Sequence, residues 1–260
     1  MKKILFLVLI ILFVSIECFA GNNGRRSVIA RKNTAAGGCT DSGTTHWFCD
    51  GGAGTTDCDG TNDGFESPWA PVGNSGNWDS YENAPASEGS TVKSGSISMR
   101  CNASNEHMVV NVSSQTEVWY DFWVYYVNGP TSEAFRHLML YQEDYGAEIY
   151  VEMDYNDDTL RMSDGVNTWD TEVVLGNATW YHIFIHLELA SGNGSETIQI
   201  AVNSVATWDA WDLNNTSATI SPTNNGYFEF GLLETSDTPT DVIYDMFRSF
   251  YGTDMPCEWE

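Results

Sequence analysis

His182 and His186 stand four residues apart in "TWYHIFIHLEL" (179–189). On a helix one metal ion could bridge that spacing. The segment alternates, however: Tyr181, Ile183, Ile185, Leu187 and Leu189 are apolar, and Trp180, His182, Phe184, His186 and Glu188 fill the positions between. Alternation predicts a strand. At about 3.3 Å per residue the two Cα atoms lie roughly 13 Å apart, too far for one shared ion. Carboxylates form the second group. "EMDYND" (152–157) places Glu152 and Asp154 on one side of a strand, with Glu148 further along that side. Paired carboxylates are what cleavage of a glycosidic bond requires. "YNDDT" reads as a turn that leaves Asp157 in solvent. In "DCDGTNDG" (57–64), Asp57, Asp59 and Asp63 offer hard oxygen ligands for Ca²⁺, although a solvated turn has the same composition.

The elements that would position these groups are short. "SISMR" (96–100), 116–128, 135–142, 147–155, 159–163, 171–175, 180–189, 197–203, 227–233 and 241–251 all read as strands, linked by turn residues such as "NDD", "SGNGS" and "TNNG". No stretch keeps a helical period, so an all-β, two-sheet antiparallel sandwich is expected over 64–260. Along 116–128, Val118, Tyr120, Phe122, Val124 and Tyr126 suit a core. Trp119, Asp121 and Trp123 then face the other way. The same alternation separates Glu148, Tyr150 and Glu152 from Ile149, Val151 and Met153. If 116–128, 147–155 and 180–189 share a sheet, then Trp119, Asp121, Trp123, Glu148, Tyr150, Glu152, His182 and His186 line one surface. Arg136, His137, Tyr141 and Gln142 also lie together, residue types that a lyase would use.

The chain opens with Lys2, Lys3, an apolar run over 4–14 and a small Ala20, the pattern of a secretory signal over 1–20. A secreted or periplasmic location follows. Residues 21–63 form a Gly-, Asp- and Cys-containing lead-in. Loss of Lys2, Lys3 and Glu17 takes the formal charge from −25 to −26. That field repels nucleic acid and anionic membranes and disfavours polyanionic sugars. Cys39, Cys49, Cys58, Cys101 and Cys257 remain after cleavage, an odd number in a compartment that permits disulfides.

Three stretches resemble the concanavalin A-like, laminin-G-like jelly rolls of secreted proteins. "GFESPW" (64–69) is similar to an opening strand. "NATWYHIFIHLELASGNGSETIQIAVNSV" (177–205) resembles the Trp-x-His strand, hairpin and following strand, with Asn203-Ser204 where Asn-Gly is usual. "VIYDMFRSFYG" (242–252) resembles the closing strand with its central Asp. The resemblance implies a framework role for His182 and a structural Ca²⁺ between Glu66 and Asp245. Its opening and closing strands would pair antiparallel, bringing Cys58 to Cys257, with Cys39–Cys49 closing a local loop and Cys101 left over. It also sets "EMDYND" beside the Glu-x-Asp-x-x-Glu of jelly-roll β-glucanases, with Asp157 where the last Glu is usual.

Indoles and phenols beside fixed polar groups suit sugars, because CH faces stack on rings while hydroxyls seek carboxylates. The leading expectation is therefore a secreted, lectin-like sandwich that binds a neutral glycan, with Ca²⁺ as its cofactor. One alternative is a polysaccharide hydrolase or lyase on the same fold, using Glu148, Glu152 or Asp154. Another is a structural or adhesion module.

Overall fold

A computed structural model describes residues 44–49, 80–93, 97–130, 134–142, 148–189, 194–202, 211–220, 222–233 and 240–253. Within them lie fifteen strands: β1 (Thr44–Cys49), β2 (Ser80–Glu82), β3 (Ala86–Glu88), β4 (Ser98–Cys101), β5 (Glu106–Gln115), β6 (Glu117–Asn128), β7 (Phe135–Tyr141), β8 (Glu148–Met153), β9 (Thr159–Ser163), β10 (Thr168–Val174), β11 (Trp180–Glu188), β12 (Glu196–Val202), β13 (Leu213–Ala218), β14 (Asn225–Leu233) and β15 (Asp241–Gly252). The first sheet runs β13-β12-β11-β6-β15-β4-β3, with β1 also on β15; the second runs β10-β9-β8-β7-β14-β5-β2. The chain is a two-sheet antiparallel β-sandwich, as its alternation predicts.

Each strand contributes one side to a shared core. From the first sheet come Val118, Tyr120, Phe122, Val124, Tyr126, Ile183, Ile185 and Leu187; from the second come Leu138, Leu140, Ile149, Val151, Phe228, Phe230 and Leu232. Burying each such side chain stabilises the fold by roughly 1.5–3 kcal/mol. β15 shifts register between Asp245 and Arg248, and Met246 there takes a left-handed φ of 55°. This bulge turns Phe247 into the core and leaves Asp245 and Arg248 both on the outer side.

A string of buried polar groups ties the two sheets together. The Tyr244 hydroxyl donates to Gly231 O at 2.9 Å and lies 2.7 Å from His137 Nδ1; His137 Nε2 lies 2.8 Å from the Tyr126 hydroxyl. With its own proton spent on Gly231, Tyr244 must accept from Nδ1–H, so Tyr126 donates to Nε2. Burial holds His137 neutral, its pKa pushed down to about 3. His137 thus joins β6 and β15 to β7 and β14. The register shift between Arg136 and Leu138 turns it inward, away from Arg136 and Tyr141.

Two expectations need correction. β6 and β11 are neighbours in the first sheet, but β8 belongs to the second. Glu148, Tyr150 and Glu152 therefore do not share a surface with Trp119, Asp121, Trp123, His182 and His186. Alternation fixes which side of its own strand a residue takes, and cannot say which sheet that strand joins. The lead-in also contributes to the sandwich: β1, within 21–63, pairs with β15 from Thr44↔Gly252 to Cys49↔Arg248.

Candidate functional site

The two sheets present two outer faces. On the first, β6, β11 and β15 align Asp121 beside Phe184 and Arg248, and Trp119 beside His186 and Phe250. Asp121 is 0 % exposed. Arg248 Nε donates to its Oδ1 at 2.9 Å, Arg248 Nη2 donates to Oδ2, and His182 Nε2 lies 3.2 Å from Oδ2. Burial alone would push this carboxyl up; the Arg248 charge, with hydrogen bonds from His182 and Arg248, outweighs it and holds the pKa below the ordinary range. His182 gives its Nε2 proton to Asp121, its Nδ1 has no partner among the described residues, and burial lowers its pKa.

Rings seal this face. Trp119 is 5 % exposed and packs with Phe184, Ala201 and Phe250. It stacks on His186 at 3.6 Å and donates its indole N–H to Gly252 O at 2.9 Å. Both His186 nitrogens face oxygens, Gln199 Oε1 at 2.7 Å and Glu117 Oε1 at 3.0 Å. Trp123 is half-buried between His182, stacked at 4.4 Å, and the Lys93 ammonium at 3.8 Å from its ring centre. The sequence foresaw these residues together, and the structure brings them together as a packed, mutually paired layer. Asp245 is buried there too, and its carboxylate accepts the backbone N–H groups of Lys93 and Met246. Among the described residues no three His, Cys, Asp or Glu side chains cluster as a metal site. Asp57, Asp59, Asp63, Glu66, Cys39, Cys58 and Cys257 lie outside the described residues, as does the Cys49 side chain. Cys101 is a free, buried thiol.

The second outer face is built differently. Cross-strand register sets Asn111, Tyr227, Tyr141 and Glu148 in one row, and Val109, Glu229, Met139 and Tyr150 in the next. Tyr141 and Tyr227 stack at 4.2 Å with their planes 5° apart. The Tyr141 hydroxyl donates to Glu229 Oε2 at 3.2 Å, and His107 Nε2 lies 3.7 Å from the same oxygen. Burial, then the charges of Glu82 and Glu148, raise the Glu229 carboxyl above its ordinary range, although the Tyr141 hydrogen bond pulls it down. Burial lowers His107 and, with the neighbouring Glu229 charge, raises Tyr141. Gly231 is Cα-paired with His107 at a φ of 139°; a Cβ there would meet Glu106 O at 2.5 Å and His107 Cα at 2.8 Å. Only glycine lets β14 run this close to β5.

Glu152 and Asp154, the paired carboxylates of the sequence, are both tied to one guanidinium. Arg161 Nε donates to Glu152 at 2.6 Å and Arg161 Nη1 pairs with Asp154. Both are buried. Arg136 lies over the Tyr150 ring at 3.8 Å and 3.9 Å from Glu152. Glu148 is half-exposed with no ion pair or hydrogen bond among the described residues. Asp157 sits exposed in the turn and accepts from Thr159, as expected. Sequence reasoning missed Tyr227 and Glu229. Their signal was present: in "YFEFGLL" Phe228, Phe230 and Leu232 are the core side, which sends Tyr227 and Glu229 outward.

No protein-family model matches this chain, and no curated protein matches it in sequence. Among solved structures, its fold is similar to that of an endo-β-1,4-glucuronan lyase from the fungus Trichoderma reesei, with a TM-score of 0.52, 12% identity, and coverage of 68% of this chain and 91% of that one. It is similar also to the cellulose induced protein Cip1, with a TM-score of 0.54, 14% identity, and coverage of 74% and 97%. At such identities the likeness is one of fold.

Proposed function

We propose that this protein is an exported, concanavalin A-like jelly roll that holds a neutral polysaccharide chain on the outer face of its second sheet. The Tyr141–Tyr227 stack, with Glu229 fixed beside it, carries this reading. Rings next to an oriented carboxyl are what sugar CH faces and hydroxyls need. The first sheet's outer face has comparable residue types, but its carboxylate Asp121 and its indole Trp119 are engaged by Arg248, His182 and Gly252. Neutrality follows from charge. Glu82, Glu148 and Glu229 surround the stack, while Arg161 is engaged by Glu152 and Asp154. A uronate would meet like charge. One of the two similar folds belongs to a protein named for cleaving glucuronan, which supports a glycan ligand while the charge argues for a neutral one. Calcium enters this proposal only through Asp57, Asp59, Asp63 and Glu66, since backbone N–H groups occupy Asp245.

Binding to arrayed neutral and uronic polysaccharides, with Tyr141→Ala and Tyr227→Ala beside the wild type, tests this. Retention of neutral glycans by the wild type and loss by both variants is the expected result. Equal binding by all three would remove the site from this face. For calcium, the melting temperature should rise in Ca²⁺ and fall in chelator.

A further inference from the structure

β2, β3, β10 and β13 close the ends of the two sheets. An end strand exposes unpaired backbone N–H and C=O groups, a template on which another chain can pair. Proteins blunt such edges with short strands, charged side chains, proline or bulges. β2 and β3 are three residues long and carry Glu82 and Glu88. β10 shifts register between Asp170 and Val174, and it exposes Asp170 and Glu172. β13, "LNNTSA", has no charged side chain and no proline, in a chain whose formal charge is −25. The acid just before it, Asp212, is engaged, accepting the Val202 N–H at 2.7 Å. β13 runs straight along β12 from Leu213 to Asn215 and shifts register beyond that point.

What β13 does carry is a pair of overlapping Asn-x-Ser/Thr patterns, Asn214-Asn215-Thr216 and Asn215-Thr216-Ser217. This pattern is the acceptor for N-linked sugar in exported chains. It recurs at Asn102, Asn111, Asn177 and Asn193. Among the described residues, only on β13 does it meet a sheet end. Asn214 suits the acceptor role. It is exposed and stands opposite Gln199 on the straight stretch. Gln199 Nε2 donates to Asn214 Oδ1 at 3.0 Å, which leaves Asn214 Nδ2 without a partner among the described residues. Thr216, the third residue of its pattern, is exposed too. Asn215 is half-buried, and its Oδ1 accepts the Ser217 N–H at 3.1 Å.

We propose that Asn214 carries an N-linked glycan that shields the open edge of β13 from pairing with a second chain; this rests on the export proposed above and not on the polysaccharide surface. The sugar comes from a lipid pyrophosphate-linked oligosaccharide, delivered by a membrane transferase of the export route. Asn214 Nδ2 bonds to the anomeric carbon and gives up one proton. The bond from that carbon to the pyrophosphate oxygen breaks, and its electron pair leaves with the lipid pyrophosphate. Nothing is oxidised or reduced. Nδ2 keeps one N–H, and Oδ1 keeps its bond to Gln199. A bulky, hydrated glycan at the middle of the straight stretch obstructs an incoming strand without adding charge.

The experiment expresses the full chain with its own signal in yeast, collects it from the medium, and maps glycopeptides by mass spectrometry. Sugar on Asn214 is expected. Thr216→Ala should remove it while leaving the Asn215 pattern intact; Thr216→Ser and Ser217→Ala should keep it. Light scattering then reads the edge. Thr216→Ala should shift to dimers or larger species at concentrations where the wild type is monomeric. Thr216→Lys, bare of sugar but charged at the edge, should stay monomeric. A secreted chain with bare Asn214, or sugar that persists in Thr216→Ala on Asn215, would overturn the site. A bare Thr216→Ala chain that stays monomeric would overturn the shielding. A chain that never leaves the cell would overturn export and this site with it, while binding of polysaccharide by the purified protein would stand.

Discussion

Both outer faces carry aromatic rings, carboxylates and histidine, yet they have spent these groups in opposite ways. On the first, Asp121 has its two oxygens saturated by Arg248 and His182, and Trp119 is sealed under neighbouring rings. On the second, Glu229 has one hydroxyl donor, Glu148 has none among the described residues, and in the Tyr141–Tyr227 stack Tyr141 is half-buried while Tyr227 is 7 % exposed. Composition alone does not make a binding face. A polar group whose partners are all internal contributes to folding, and one left short of partners is available to a ligand.

The sharpest way to break this contrast is Asp121→Ala. It leaves Arg248 buried without its counter-charge, which costs about 3–5 kcal/mol. Trp119→Ala belongs to the same class, at about 3–5 kcal/mol for a packed indole. Urea unfolding should show both losses, while the folded fraction binds glycan as before. Intact stability with lost binding would exchange the roles of the two faces.

Next in size is the buried string. His137→Phe keeps the ring but strands the Tyr126 hydroxyl, while Tyr244 keeps Gly231 as its acceptor; the cost is about 1–3 kcal/mol. It should also change the pH response. His137 is held neutral in the fold, with a pKa near 3, and titrates near about 6.5 when unfolded. The unfolded chain therefore binds more protons as pH falls below that value, and stability drops; His137 accounts for roughly 2 kcal/mol between about pH 7 and 5. His107 and His182, also lowered by burial, act in the same direction. Asp121 joins them only below about pH 4, because its lowered carboxyl resists protonation in the folded state. Glu229 opposes them, since a raised carboxyl contributes most in acid and less as pH rises. Denaturation across this range should show acid destabilisation that is shallower in His137→Phe. An identical slope in that variant would contradict the neutral tautomer.

The strands were legible because one side of each is buried, so apolar residues recur with period two. Every expected strand from 96 to 251 is present within a few residues of its predicted ends. β5, "EHMVVNVSSQ", was missed although Met108 and Val110 alternate, because Ser113, Ser114 and Gln115 dilute the signal. The edge strand β13, rich in Asn and Thr, has little apolar pattern to read. The candidate site was legible only in fragments. Glu148 and Tyr150 were placed on the right side of β8, but their neighbours are Tyr141 and Met139, partners set by long-range pairing. No local pattern encodes that β7 lies between β8 and β14.

Smaller effects separate shape from charge on the second face. Tyr227→Ala removes one ring of the stack without touching Glu229's donor. A lost sugar contact of this kind costs about 1.4 kcal/mol, a tenfold weaker Kd, and, because Tyr227 is only 7 % exposed, it should come with a stability loss that stays smaller than that of Trp119→Ala. A stability loss as large as that of Trp119→Ala would mean that the stack is packing, and the two faces would then be alike.

The finest test is Tyr141→Phe, which takes away a single oxygen. The ring still stacks on Tyr227, so the unfolding free energy should change by less than about 1.5 kcal/mol, the net worth of one hydrogen bond. Glu229 loses the donor that holds its carboxyl down, leaving burial and the charges of Glu82 and Glu148 unopposed. Its titration, followed by carboxyl carbon NMR, should therefore move to still higher pH, and any binding that needs the protonated carboxyl should extend with it to higher pH. Asp121, fixed by Arg248 and His182 on the other sheet, should titrate unchanged and serves as an internal control. A downward shift of Glu229, or none, would mean that the Tyr141 hydroxyl is not its donor, and the oriented carboxyl at the centre of this face would lose its anchor.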